Sequence, residues 1–172
     1  MEEKNIINAQ YADTDSVRAE KNIINAQYAD TDSVRALTIQ DQADHLAESG
    51  SGVWVPFAPE TVAEKATLYN AINSTGEKLR DYVGDTVTVS NIILQGSTFT
   101  DEETGEIKKA ARLILVGPEG QIYKSTSRGM VRAAIQLIQV FGIPNEWERP
   151  LTIQIERVQF RKGYTYNFKV VA

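Results

Sequence analysis

The chain contains no cysteine, which excludes disulfides, thiolate metal ligands and a thiol nucleophile. His45 is its only histidine, and no phosphate-binding loop of the GxxxxGK[ST] type occurs. Asp and Glu concentrate in the N-terminal part and in the turn 101–106, not at converging strand ends. The spacing in that turn does not supply the ligands of a calcium loop, so we expect a solvated turn there. We therefore expect no enzyme, no cofactor and no metal.

Long apolar runs are also lacking. No segment approaches the roughly 18 apolar residues that a membrane span needs, and the acidic start Met1-Glu2-Glu3-Lys4 has no signal-peptide core. A cytoplasmic protein is expected, and its 172 residues suit one domain with a tail.

The charges of the chain are unevenly distributed. The net charge is −5 overall, but residues 1–76 hold 5 Lys/Arg and 12 Asp/Glu, whereas residues 77–172 hold 13 Lys/Arg and 11 Asp/Glu. Such asymmetry is typical of a binding domain that carries an acidic arm. An acidic tail without a role is an equally open interpretation.

The N-terminal part contains an exact tandem repeat of 17 residues. Glu3–Ala19 and Glu20–Ala36 have the same sequence, whereas solenoid repeats diverge and number at least about three. The repeat therefore indicates a recent duplication or an assembly artefact. Ser49–Gly52 reads as a flexible joint, followed by the apolar patch Val53–Phe57. We predict an arm over residues 1–59 and a domain over residues 60–172.

The periodicity of the domain changes along the chain. A helix is predicted over residues 61–73, with Val62, Ala66, Tyr69 and Ile72 on one face. A second helix with Ser127 as its N-cap is predicted to end at Gly142. Five strands are predicted, namely 86–99 with a bulge near Asn91, 109–116, 122–126, 151–160 and 164–170.

The resulting order is β-β-β-α-β-β, which matches the OB-fold, a partly open five-stranded barrel with its helix between strands three and four. We therefore predict a mainly β protein with helices, in which an OB-type barrel follows a helix and the arm.

The last three-fifths of the chain resembles a family of small single-stranded DNA-binding proteins of phages and of conjugative or integrative elements. The resemblance lies in LYNAINSTGEKLRDYVGDTVTVSNIIL (68–94), TDEETGEIKKAARLILVGPEGQIYKSTSRG (100–129), IQLIQVFGIPNEWERPLTIQI (135–155) and RKGYTYNFKV (161–170). It implies an OB-fold, sequence-tolerant binding of single strands, no catalytic centre, and a role in phage or plasmid DNA replication or transfer in the bacterial cytoplasm. The repeated arm is not part of the resemblance.

Binding a single strand needs cations for the phosphates and aromatic faces for the bases. OB-folds place these on the face of strands two and three and on the flanking loops. The predicted DNA-binding residues on those elements are Phe99, Lys108, Lys109, Arg112, Tyr123, Lys124, Arg128, Arg161, Lys162 and Tyr164.

Each of these residues has a structural alternative. Lys108 and Lys109 could only offset the acidic turn, and the face of Tyr164, Tyr166 and Phe168 could be core. Arg128 and Arg132 could form a solvated helix face, and Trp147 is expected to pack against the barrel.

Alternatives for the whole protein also remain open. The arm could mediate self-association along a strand, or it could cover the groove and compete with DNA. The barrel could instead be a protein-interaction adaptor in phage or plasmid assembly.

Overall fold

The computed structural model describes residues 38–171, so the tandem repeat lies outside the described residues. The helices are α1 (Ile39–Ser49), α2 (Val62–Asn73) and α3 (Arg128–Phe141), with short 3₁₀ turns at Leu79–Tyr82 and Pro144–Glu146. The strands are β1 (Val53–Trp54), β2 (Glu77–Lys78), β3 (Thr86–Val89), β4 (Asn91–Thr100), β5 (Ile107–Val116), β6 (Ile122–Ser125), β7 (Leu151–Phe160) and β8 (Gly163–Val171). In this range no helix is long and apolar enough to cross a membrane.

The strands form two sheets that share a corner at Ser90. One sheet has the order β1-β4-β5-β6-β2 and the other the order β3-β7-β8. The backbone N–H of Ser90 donates to Val116 O at 2.7 Å, and its hydroxyl donates to the same oxygen at 3.0 Å. The bulge predicted near Asn91 is thus the point where one long predicted strand divides between two sheets.

The prediction of a mainly β chain with helices is confirmed, but the sheets do not close into a barrel. Within residues 38–171 no ladder joins β6 to β8. The N-terminus of α3 lies against β8, so close at Gly129 that a Cβ there would be 2.9 Å from Tyr166 N and 2.3 Å from Thr165 Oγ1. Helix α3 therefore faces β8 at close range, and Gly129 makes this approach possible.

The main core lies between the two sheets. Strand alternation sends Ile92 and Leu94 of β4 into it, opposite Ile153 and Ile155 of β7. One broad face of α3 adds further buried side chains, as its 3.6-residue periodicity predicts; they are Met130, Val131, Ala133, Ala134, Ile135, Leu137 and Ile138.

A second, smaller core lies on the other side of the five-stranded sheet, under α2. Ala71 of α2 is fully buried there against a cluster that contains Ile93 and Ile114. The helical face predicted for α2 is wrong, because Val62 is 84% and Tyr69 67% exposed. The helix's own apolar residues are spread around most of its circumference, so periodicity alone does not identify the buried side.

The predicted boundary at residue 60 is also wrong, because α1 and β1 belong to the packed domain. Thr38 and Asp41 form a capping box that starts α1, and Leu46 is fully buried in the main core. Gly50, read as part of a joint, ends the helix at φ 71°, a conformation that glycine adopts without strain. The apolar patch that follows is buried as well, at Val53, Trp54 and Val55.

Candidate nucleic-acid interface

Phe99, Lys108 and Arg112 lie together on the side of the β4–β5 hairpin that faces away from the main core. Phe99 pairs with Lys108 across the ladder, and Gln95 pairs with Arg112. Arg112 Nη2 donates to Ser97 Oγ at 2.7 Å, which fixes the guanidinium on this surface. We call these five residues the outer strip.

Lys108 is already engaged in an ion pair with Asp101 of the acidic turn. Asp101 also accepts the backbone N–H groups of Glu103 at 2.9 Å and Thr104 at 3.0 Å. The hydrogen bond from Lys108, followed by those from the two backbone groups, lowers the pKa of Asp101 to about 2. The turn 101–106 is thus held by its own hydrogen bonds, and the described residues contain no cluster that could hold a metal.

This lowered pKa predicts a pH dependence of stability. The charged form of Asp101 is favoured in the folded state, so its contribution is fully present above the ordinary pKa of 3.8 and is lost as the pH falls toward 2. We expect Asp101→Asn to lose less stability than the wild type over that interval. Urea melts at pH 5, 4, 3 and 2 would measure this, with Glu102→Gln in the same turn as control. Parallel pH profiles of D101N and the wild type would contradict the assignment.

Lys109, Tyr123 and Lys124, which are predicted contacts on β5 and β6, do not belong to the outer strip. Lys109 points to the opposite side of its strand, where its stem packs near Gly50. Tyr123 faces the main core and meets Tyr82 edge to face, with ring centroids 5.0 Å apart.

Lys124 lies on the outer side of the sheet but is bound to α2. Its Nζ donates to the carbonyl oxygens of Ile72, at 3.0 Å, and Ser74. Burial lowers the pKa of Lys124, and the nearby charge of Arg112 adds to this. Helix α2 therefore covers the part of β5 and β6 where an OB-fold would be expected to present an open face.

The second group of predicted contacts lies at the end of the β7–β8 hairpin. Phe160 pairs with Gly163, so Arg161 and Lys162 form its two-residue turn. Both cations are exposed, and neither forms an ion pair with another described residue.

One face of this hairpin continues outward from the core. It starts at the buried Phe168, passes the partly buried Tyr166 and reaches Tyr164, which is 47% exposed. The rings of Tyr164 and Tyr166 meet edge to face at 5.5 Å, and the Arg157 guanidinium lies 4.0 Å from the Tyr164 ring centroid. We call Arg157, Tyr164 and Tyr166 the inner face of the hairpin. Phe168 is thus a core residue, whereas Tyr164 is not.

Further cations surround the inner face. Arg128 begins α3, directly beside the close contact of Gly129 with β8. Burial and then the neighbouring Tyr164 raise the pKa of Tyr166, and the positive charges of Arg157 and Arg80 act in the opposite direction. The inner face therefore combines aromatic rings with several positive charges.

Sequence reasoning missed Arg157 and Arg80 in this group, and it placed Tyr166 on the face of Tyr164 without naming it as a DNA contact. The hairpin register would have found Arg157, since a two-residue turn at 161–162 places it opposite Tyr166. Arg80 carries no comparable signal, because it approaches from a distant 3₁₀ turn. Trp147 packs against the main core, with its indole N–H donating to Gly142 O at 2.9 Å.

A family model described as phage single-stranded DNA-binding protein matches residues 47–168. The chain belongs to this family. The match includes α2, β1 to β7, the whole turn of the β7–β8 hairpin and β8 as far as Phe168. No curated protein and no solved structure matches the chain significantly.

Membership in the phage single-stranded DNA-binding family supports single-stranded DNA as the ligand of this protein. It also supports a protein that binds rather than catalyses. Of the predicted contacts, Phe99, Lys108 and Arg112 belong to the outer strip, and Tyr164 belongs to the inner face, next to the turn of Arg161 and Lys162.

Proposed function

We propose that this protein coats single-stranded DNA without sequence preference during phage DNA replication, and that the inner face of the β7–β8 hairpin is its principal contact. The observation that carries the proposal is the Arg157–Tyr164 stack beside the exposed cations of the turn, inside the region matched by the family. Aromatic and guanidinium planes stack on any base, and cations neutralise any phosphate. Such contacts recognise single strands and are indifferent to sequence.

The outer strip is proposed as a second contact. Phe99 is 37% exposed, and Arg112 retains guanidinium donors beyond the one bound to Ser97. Lys108 contributes less, because phosphate must compete there with Asp101. A bound strand of several nucleotides can contact both surfaces, since one OB fold binds about 4–16 nucleotides.

We further propose that the two sheets are the two halves of an OB-type barrel. The strand order β-β-β-α-β-β supports this, as does the change of sheet at Ser90, where one long barrel strand would bend. The parallel bridge between Val83 and Ile155 adds a further contact of the segment before β3 with β7.

The proposal predicts a change in salt dependence when the turn cations are removed. Replacing Arg161 and Lys162 by alanine should weaken binding of the full chain to a fluorescent dT oligonucleotide. It should also make the slope of log K against log [salt] shallower by about 1.4, since each phosphate contact on a single strand contributes about 0.7. Fluorescence anisotropy over a salt series measures both quantities.

The matched control removes the same charge near the other end of this hairpin, as Arg149→Ala just before β7 with Lys169→Ala on β8, and should leave the slope nearly unchanged. Duplex DNA and RNA of the same length test the preference for single-stranded DNA. Equal affinity for duplex, or equal slopes for the two double variants, would reject this function and this site.

A further inference from the structure

A groove on the outer side of the five-stranded sheet lies between α2 and the segment 50–53. It has a volume of about 580 Å³ and is also lined by Gln95 and Gly96 of β4. This volume falls within the range of roughly 300–1,000 Å³ that is typical of small-molecule sites. None of the residues predicted to bind DNA lines this groove.

The groove has an apolar wall and polar groups around it. Leu68 and Ile72 form the wall, Tyr69 is 67% exposed, and Lys65 precedes Tyr69 by one helical turn. Lys65 forms no ion pair with another described residue. The groove therefore offers an aromatic ring and a cation side by side.

Gln95 supplies an independent observation. Its Oε1 is buried and accepts no hydrogen bond from any residue of the described range. A buried amide oxygen without a donor is rare in folded proteins, and rotation of the amide into the groove would bring this oxygen to an N–H of a ligand. The side chain belongs to the lining of the groove.

We propose that this groove is a nucleobase pocket, in which one base of the bound strand stacks on Tyr69 and hydrogen-bonds the Gln95 amide. This inference rests on the proposed function and extends the binding surface to α2. Every DNA base presents N–H groups next to acceptors, so one amide can bind each of them without selecting a sequence. Lys65 is placed to receive the adjoining phosphate.

The groove is continuous with the outer strip. Gln95 is the cross-strand partner of Arg112, so a base at Gln95 leaves its backbone beside that guanidinium. The occupant that fits is a nucleotide within a strand, because a peptide or lipid would not need an aromatic face, a buried amide and two flanking cations together.

The test uses the full chain and two labelled probes of equal length, a dT oligonucleotide and an abasic deoxyribose-phosphate oligomer. Tyr69→Ala should weaken binding of the dT probe by about tenfold and leave binding of the abasic probe unchanged. Tyr69→Phe should retain the affinity for dT. Val62→Ala, on the same helix but outside the groove, is the matched control.

A second measurement does not depend on affinity. Irradiation of the complex with an oligonucleotide that contains 5-iododeoxyuridine should produce an adduct on Tyr69, which peptide mass spectrometry identifies. Wild-type affinity of Y69A with adducts only on other aromatic residues would overturn the pocket and leave the proposed function standing. Failure of the wild type to bind dT would overturn both.

Discussion

Replacing Arg157 and Tyr164 together by alanine should weaken binding of the full chain to a dT oligonucleotide by about 100-fold. Loss of one stacked base costs about 1–3 kcal/mol on alanine substitution, and the guanidinium contributes a further cation–π or phosphate contact. The two side chains already form one unit, with Arg157 4.0 Å from the Tyr164 ring centroid. Fluorescence anisotropy at fixed salt would measure the loss.

The hairpin itself provides a matched control. Val158 and Phe160 are 42% and 52% exposed and lie on the opposite face, because side chains alternate along β7. V158A/F160A removes at least as much apolar surface from the same hairpin. We expect it to bind within about twofold of the wild type.

The contrast between the two faces decides the assignment. An equal loss in both double variants would show that the hairpin matters as a whole rather than through its inner face. A loss confined to V158A/F160A would place the DNA on the other side. Thermal melts check folding, and both variants should remain folded because Tyr164, Val158 and Phe160 are substantially exposed.

Most of the fold could be predicted because each element carries its own periodicity. Val87 and Val89 alternate with polar residues, and α3 shows a broad apolar face. What the pattern could not show is which strands pair over long distances. The division at Ser90 between two sheets depends on the pairing of β3 with β7, more than 60 residues further along the chain.

The candidate site was predictable only in part, for reasons that differ between residues. The alternation that placed Arg112 on an outward face holds in the structure. The lysine at 124 lies on that same side, but the carbonyl groups that bind it come from α2, whose orientation no local signal reveals. The position of Arg157 could have been predicted from the hairpin register. The effect of the Arg80 charge on Tyr166 depends on tertiary packing alone.

The segment before residue 60 illustrates a different difficulty. Glycine and serine at 49–52 are typical of linkers, but the same residues also end helices and permit close packing. Gly96 shows that the packing is close, since a Cβ there would lie 2.3 Å from Ser51 N. Composition alone does not distinguish a free joint from a helix cap pressed against a strand.

This correction leads to the largest expected effect on stability, which is Leu46→Ala. Leu46 is fully buried in the main core, so the substitution should reduce the free energy of unfolding by about 2–5 kcal/mol. Leu46→Met, which conserves volume, should cost less than about 1.5 kcal/mol. Urea denaturation followed by Trp fluorescence would report the change, since Trp54 belongs to the same core.

Glu48→Ala on the exposed side of α1 is the control and should change the unfolding free energy by no more than about 0.5 kcal/mol. If α1 belonged to a free arm, L46A and E48A would both change the unfolding free energy negligibly. That result would contradict the assignment of α1 to the packed domain. If L46A strongly lowers the unfolding free energy but the remaining folded protein keeps its DNA affinity, α1 stabilises the β4–β5 hairpin without contacting DNA. Because Gly50 and Thr98 are joined by a hydrogen bond of 3.0 Å, α1 is in direct contact with the strand that carries the outer strip.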